Sequence, residues 1–337
     1  MKRLILLSTL FLSVVATSTA QEINGGPINV PQRDIIDGVY ITEHVPTKRM
    51  IPYEFVREAD VTWSKRVWEN IDMREKFNHP IYLPFDKHYI SGVYVRNSSR
   101  WSLWTILRHH IIQGDLTVFS PYNIFQFDML DGDQFKYPIA PQPGMDYDTD
   151  TVFRDEVFRY LGKVGLQSDV ALTTIDGEDS MAVINGVLQF VYPPADTTWV
   201  DSEDVVSYHL KEDWFFDKER SVLDVRILGI APVVYRYDID PVTQKKIIKG
   251  TEEKFWLYFP RCRFILNNYF VYNEQNDAQW MSFDDLFWKR QFICTIYKES
   301  NVFDRQIESY RTGVDALMEA EKIKEEIRLF EHDVWHF

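Results

Sequence analysis

Ile71-Asp72-Met73-Arg74, with Trp63 before it and Pro80-Ile81 after it, has a counterpart at Leu223-Asp224-Val225-Arg226, where Trp214 precedes and Pro232-Val233 follows. The Asp and Pro offsets are the same, 224 − 72 = 232 − 80 = 152. The same shift carries Leu103-Trp104 onto Phe255-Trp256, and Asp133-Gln134-Phe135 onto Asp285-Leu286-Phe287, with Trp288 next in line. Matches in register at one spacing are the mark of an internal duplication. They predict two related halves, residues 51–165 and 201–304, each with an aromatic face that it cannot cover alone.

Working outward, the segments around these strings read as mixed structure. Val187 to Tyr192 and Ser221 to Tyr235 are rich in Val, Ile, Leu and aromatics bounded by Gly, Pro or Asp, as strands are. Asp60 to Lys76 places Val61, Val67-Trp68 and Ile71 at mixed helical spacing. The fold class expected is α+β. Between the halves, residues 166–200 carry Gly177, Gly186 and the run Pro193-Pro194-Ala195-Asp196, which predict a connector with a hairpin. The tail, 305–337, spaces Ile307, Tyr310, Val314, Leu317, Ile323, Ile327, Phe330 and Val334 near one helical face, with Glu319, Glu321, Lys322, Lys324, Glu325 and Glu326 on the other. That pattern predicts a long amphipathic helix, packed on its own domain or docked on a neighbour.

At the other end, Lys2-Arg3, the apolar run Leu4 to Ala16 and the small residues Thr17 to Ala20 predict a secretory signal over 1–20. Gln21 stands where a lipoprotein would need cysteine, and no later stretch has the roughly 18 apolar residues of a membrane span. Residues 21–50, with Gly25-Gly26-Pro27, Pro31 and Pro46, read as an extended arm. Removing Lys2 and Arg3 takes the formal charge from −14 to −16, which disfavours nucleic acid and anionic lipid as partners and favours a basic protein surface. Cys262 and Cys294 are an even pair in an exported chain, which permits one disulfide; the alternative is two buried thiols.

Motifs for chemistry are sparse. Asp146, Asp148 and Asp150 have the alternate spacing of a calcium loop, but the sixth position is Thr151 and the twelfth Val157, where Gly and Glu are needed. Asp128, Asp131 and Asp133 around Gly132 have the composition of a turn. His109-His110 are adjacent and diverge, while His332 and His336 have a spacing of four without the Glu of a zinc-protease motif. No nucleophile elbow, phosphate loop or dinucleotide fingerprint occurs, so no catalytic residue, cofactor or metal is assigned. What recurs is Trp beside a base: Trp63 with Arg66, Trp104 with Arg108, Trp214 with Arg220, Trp288 with Arg290. Trp and Arg dominate interface energetics, so these eight are the candidate interaction residues, against the plainer reading of core Trp with a base pairing to a nearby Asp.

The chain resembles the GldN/PorN family of gliding-motility and type IX secretion proteins. The resemblance is carried by Arg33 to Tyr40, Val45 to Pro52, Glu54 to Trp68, Glu212 to Lys218, Phe283 to Arg290, Tyr297 to Val302 and Glu319 to Trp335. It implies a structural, non-enzymatic subunit in the periplasm, beneath the outer membrane, forming a ring with other copies of itself and with the lipoprotein GldK/PorK. The motor components GldL/PorL and GldM/PorM would lie next to it. The competing expectation is a secreted glycan-binding protein or glycoside hydrolase using exposed aromatics, whose paired carboxylates sequence spacing cannot reveal.

Overall fold

The structure, a computed structural model, describes residues 50–88, 94–95, 100–123, 130–164, 181–184, 187–190, 197–239, 246–273 and 281–334. The expected signal over 1–20, nearly all of the expected arm, most of the expected connector with its proline run, and His336 lie outside the described residues.

One antiparallel sheet organises the chain. Its strands are β1 (Val61–Asp72), β2 (Val118–Phe119), β3 (Pro138–Ile139), β4 (Val205–Asp217), β5 (Val222–Ile239), β6 (Lys246–Glu253), β7 (Trp256–Tyr258) and β8 (Thr295–Glu299). They lie in the order β8-β1-β4-β5-β7-β2-β3, and β6 extends the sheet from β5. Helices α1 (His79–Tyr82), α2 (Leu103–Ile112), α3 (Thr151–Leu161), α4 (Phe259–Leu266), α5 (Phe283–Trp288) and α6 (Val314–Val334) complete the mixed architecture. Three short ribbons, Lys87–His88 with Tyr94–Val95, Gly162–Val164 with Thr197–Trp199, and Met181–Ile184 with Val187–Phe190, stand apart from the sheet.

The expected helix over 60–76 is corrected: most of that segment is β1. Its first half alternates between exposed and half-buried residues, but Val67, Trp68 and Glu69 are all buried. A strand covered on both faces loses its period of two, and its apolar positions then mimic helical spacing. Alternation still assigns each side chain to a face. Val67 packs with Ile296, Ile323 and Ile327; Ile71 joins the main core with Leu103, Leu107, Phe255 and Phe287; Trp68 points the other way, onto Ala231 and Trp256.

The sheet is not divided into two like halves. β1 comes from the first predicted half, yet both its neighbours, β4 and β8, come from the second. Asp72 closes β1, whereas Asp224 lies near the start of β5; Leu103-Trp104 open α2, whereas Phe255-Trp256 lead into β7. The two acids also hold different partners. Asp72 accepts from the Arg74 amide and guanidinium, and Asp224 accepts from the Val225 amide and from Arg220.

The tail is helical over a shorter span than 305–337. Ile307 and Tyr310 precede it, in and just after a 3-10 turn, and Gly313, with φ of 60°, separates that turn from α6. The buried positions of α6 are Ala320, Ile323 and Ile327, and Phe330 stacks on Trp63 with ring centroids 4.4 Å apart. Val314 and Leu317, expected on that face, are exposed. Among the described residues, no helix is long and apolar enough to cross a membrane.

Candidate functional site

The chain's most heavily charged interior lies on the face of the sheet between the α6 cluster and the main core. On β1 that face carries Val67, Glu69 and Ile71; on the neighbouring β4 it carries Leu210, Glu212 and Trp214. Register places Val67 opposite Glu212 and Glu69 opposite Leu210, so the two acids are diagonal neighbours. Both are buried. Arg290, at the end of α5 with φ of 50°, reaches them together: Nη1 donates to both Glu212 carboxylate oxygens at 2.7 Å, and Nη2 donates to Glu69 Oε2 at 2.9 Å. The guanidinium also lies over the Trp214 ring, 5.2 Å from its centroid, and the Cys294 thiol donates to Glu69 Oε2 at 2.9 Å.

Burial, with Glu69 next to it, pushes the Glu212 carboxyl up to about 8 despite the pull of Arg290. Burial and then Glu69 also push the Cys294 thiol well above its ordinary value. Cys262 is raised to about 12 by burial in the main core. Both cysteines are free thiols in this structure.

A second arginine lies close by. Arg263 of α4 is buried and forks onto Asp284 of α5, with Nε at 2.7 Å from Oδ1 and Nη2 at 3.0 Å from Oδ2. Its Nη2 also donates to the carbonyl of Ile51 at 2.8 Å, which holds the start of the described chain against the two helices. Tyr53 and Trp288 stack with centroids 5.6 Å apart, and Arg263 lies within 4.9 Å of each ring centroid. A cavity of about 140 Å³ opens here, lined by Tyr53, Arg263, Asp284, Trp288 and Arg290 among others. Burial raises the Tyr53 hydroxyl to about 12. A larger hollow of about 500 Å³ is lined by Phe77, Pro80, Val271, Met281 and Leu286.

The eight candidate interaction residues therefore separate into several places. Trp214, Trp288 and Arg290 meet at the site above. Trp63 is half-buried under Phe330 of α6, and Arg66 forks onto Asp213 of β4. Arg220 pairs with Asp217, Asp224 and Glu54. Trp104 and Arg108 are core residues, both donating to the carbonyl of Val200 at 2.9 and 3.1 Å. The plainer reading holds for this last pair, since neither offers a surface. Glu69, Glu212, Arg263 and Asp284 were not among the candidates. A search for Trp next to a base along the chain finds the base but not its acid, and Arg290 is 78 and 221 residues from its two partners.

Elsewhere the polar clusters do structural work. Asp150 caps α3, accepting from the amides of Val152 and Phe153, and these bonds with that of Gln142 hold its carboxyl below the ordinary range. Asp133 accepts from Trp68 and Lys211, and Asp131 from Asn123 and Lys136. His110 is buried between Asp115 at 2.7 Å and the Tyr269 hydroxyl at 2.8 Å. Among the described residues, no three His, Cys, Asp or Glu side chains are grouped so as to hold a metal ion.

Comparison with known proteins gives one assignment. The family model described as "Gliding motility associated protein GldN" matches residues 56–336, a span that includes β1, the Arg290 cluster and α6. No protein with a curated description matches the chain.

Proposed function

The chain belongs to the GldN family, a structural component of gliding motility and type IX secretion, and from that premise we propose that it is a periplasmic ring subunit. In this reading it assembles with copies of itself and with the lipoprotein GldK/PorK beneath the outer membrane, next to the motor components GldL/PorL and GldM/PorM. The observation that carries the proposal is the extent of the family match, which leaves only the first 55 residues and the last one outside it.

The geometry agrees with an assembly role. Arg290, Arg263 and Arg66 each clamp carboxylates from another element. Closely spaced carboxylates exist at Glu69 and Glu212, but both are buried and held by one guanidinium, which is unlike the open, water-accessible pair of a glycoside hydrolase. In this reading a lipidated partner supplies the membrane attachment. Electron microscopy of the mature chain co-purified with its lipoprotein partner tests the proposal; closed rings are expected, and a mixture without common particles would overturn it. Deleting residues 21–50 is expected to weaken co-purification while leaving the circular dichroism of the folded chain unchanged.

A further inference from the structure

β5 is longer than the sheet it belongs to. β4 pairs with it from Val222 to Val234, after which β5 continues to Ile239 paired only with β6 among the described residues. Residues 235–239 and 246–251 thus form a two-stranded ribbon that runs out beyond β4. Tyr237, directly opposite Ile248, is 50% exposed; Ile248 and its neighbour Ile247 are 54% and 52% exposed. A ribbon of two strands is marginally stable in water, and open edges bearing large apolar side chains invite another chain.

Its charge indicates what would cover it. Its two strands, 235–239 and 246–251, carry three bases (Arg236, Lys246, Lys249) against one acid (Asp238), a net of +2 in a chain of net −14. The opposite balance occurs on α6, with seven acids (Asp315, Glu319, Glu321, Glu325, Glu326, Glu331, Asp333) against Lys322, Lys324 and Arg328, a net of −4. The outer surface of α6 also exposes Val314, Leu317, Met318 and Leu329. Both surfaces therefore combine exposed aliphatic groups with charge, and the charges are opposite in sign.

The ribbon cannot reach the α6 of its own chain. That helix packs on β8 and β1, while β6 lies across β1, β4 and β5 from β8, four strand spacings or about 19 Å away. We infer that the β5–β6 ribbon docks on the outer face of α6 of a second copy of this chain. Such a contact joins two different faces, so it repeats head to tail and can close into a ring. The inference deepens the assembly proposal and rests on it.

Charge exchange in the full mature chain tests it. Arg236→Glu with Lys249→Glu, and separately Glu321→Lys with Glu325→Lys, are expected to weaken self-association in sedimentation by about tenfold or more, with circular dichroism unchanged. Mixing the two double variants is expected to restore hetero-association, because each then supplies the surface the other lacks. A photo-crosslinker replacing Ile248 is expected to yield dimers whose crosslinked peptides map to 314–334. Self-association that ignores both charge reversals, with crosslinks mapping elsewhere on the chain or on another protein, would overturn this contact and leave the assembly proposal standing. A chain that remains monomeric, alone and with the lipoprotein partner, would overturn both.

Discussion

Arg290 clamps the carboxyl groups of Glu69 and Glu212 in a site removed from water. Breaking a buried pair by deleting one partner typically costs about 3–5 kcal/mol, because the remaining charge is left uncompensated. Arg290→Ala is therefore expected to lower stability by that order in denaturant unfolding, more than Arg220→Ala, whose partners Glu54 and Asp224 are solvated and whose buried partner Asp217 also accepts from the Glu219 amide. Glu212 sets a pH dependence. Its carboxyl titrates near 8 in the folded chain against an ordinary value of 4.5, so the folded chain binds the proton more tightly than the unfolded one. The stability this contributes is complete below about pH 4.5 and is lost as pH rises through about 8. Glu212→Gln, which cannot ionise, is expected to narrow its deficit or gain stability relative to the native chain between about pH 5 and 9 in thermal melts. A constant difference across that range would count against a proton held at this site. Both thiols are raised by burial, so alkylation at pH 8 is expected only after unfolding, as read by mass spectrometry with and without denaturant.

Among the elements, α6 depends on three buried positions and one ring stack. Ile323 sits against Val67 and Ile296 in a small cluster with few alternatives for repacking. Ile323→Ala is expected to cost about 2–5 kcal/mol locally and to release the helix before the sheet, so amide exchange should rise first over 314–334. This helix was legible in the sequence because its apolar spacing survives in solvent, whereas its start was not, since Gly313 interrupts a pattern that continues on either side. β5 was legible for the opposite reason: bounded, β-branched and long. β1 was not, because a strand sandwiched between α6 and the Trp256 side carries apolar residues on both faces and its period disappears. The site shares that difficulty. Trp214, Trp288 and Arg290 could be picked from local composition, but the acids that give Arg290 its role arrive from β1 and β4 through strand register, which is a property of the folded sheet.

At the scale of the whole molecule, the strand order decides how the chain can be cut. β1 is clasped between β4 and β8, so a chain starting at residue 201 would lack the strand on which Glu212 and Ile296 both close. Residues 201–337 expressed alone are expected to be unfolded or aggregated by circular dichroism and gel filtration, and to become soluble when residues 51–165 are co-expressed. Independent folding of 201–337 would show that β1 is dispensable. The same arrangement bears on the Ile51 carbonyl, which Arg263 grips from the junction of α4 and α5. Among the described residues, the start of the chain is held to the body here, by Arg263 on the Ile51 carbonyl. A tug delivered through Ile51 would meet a guanidinium set against two rings and a carboxylate, and from there spread into two helices at once.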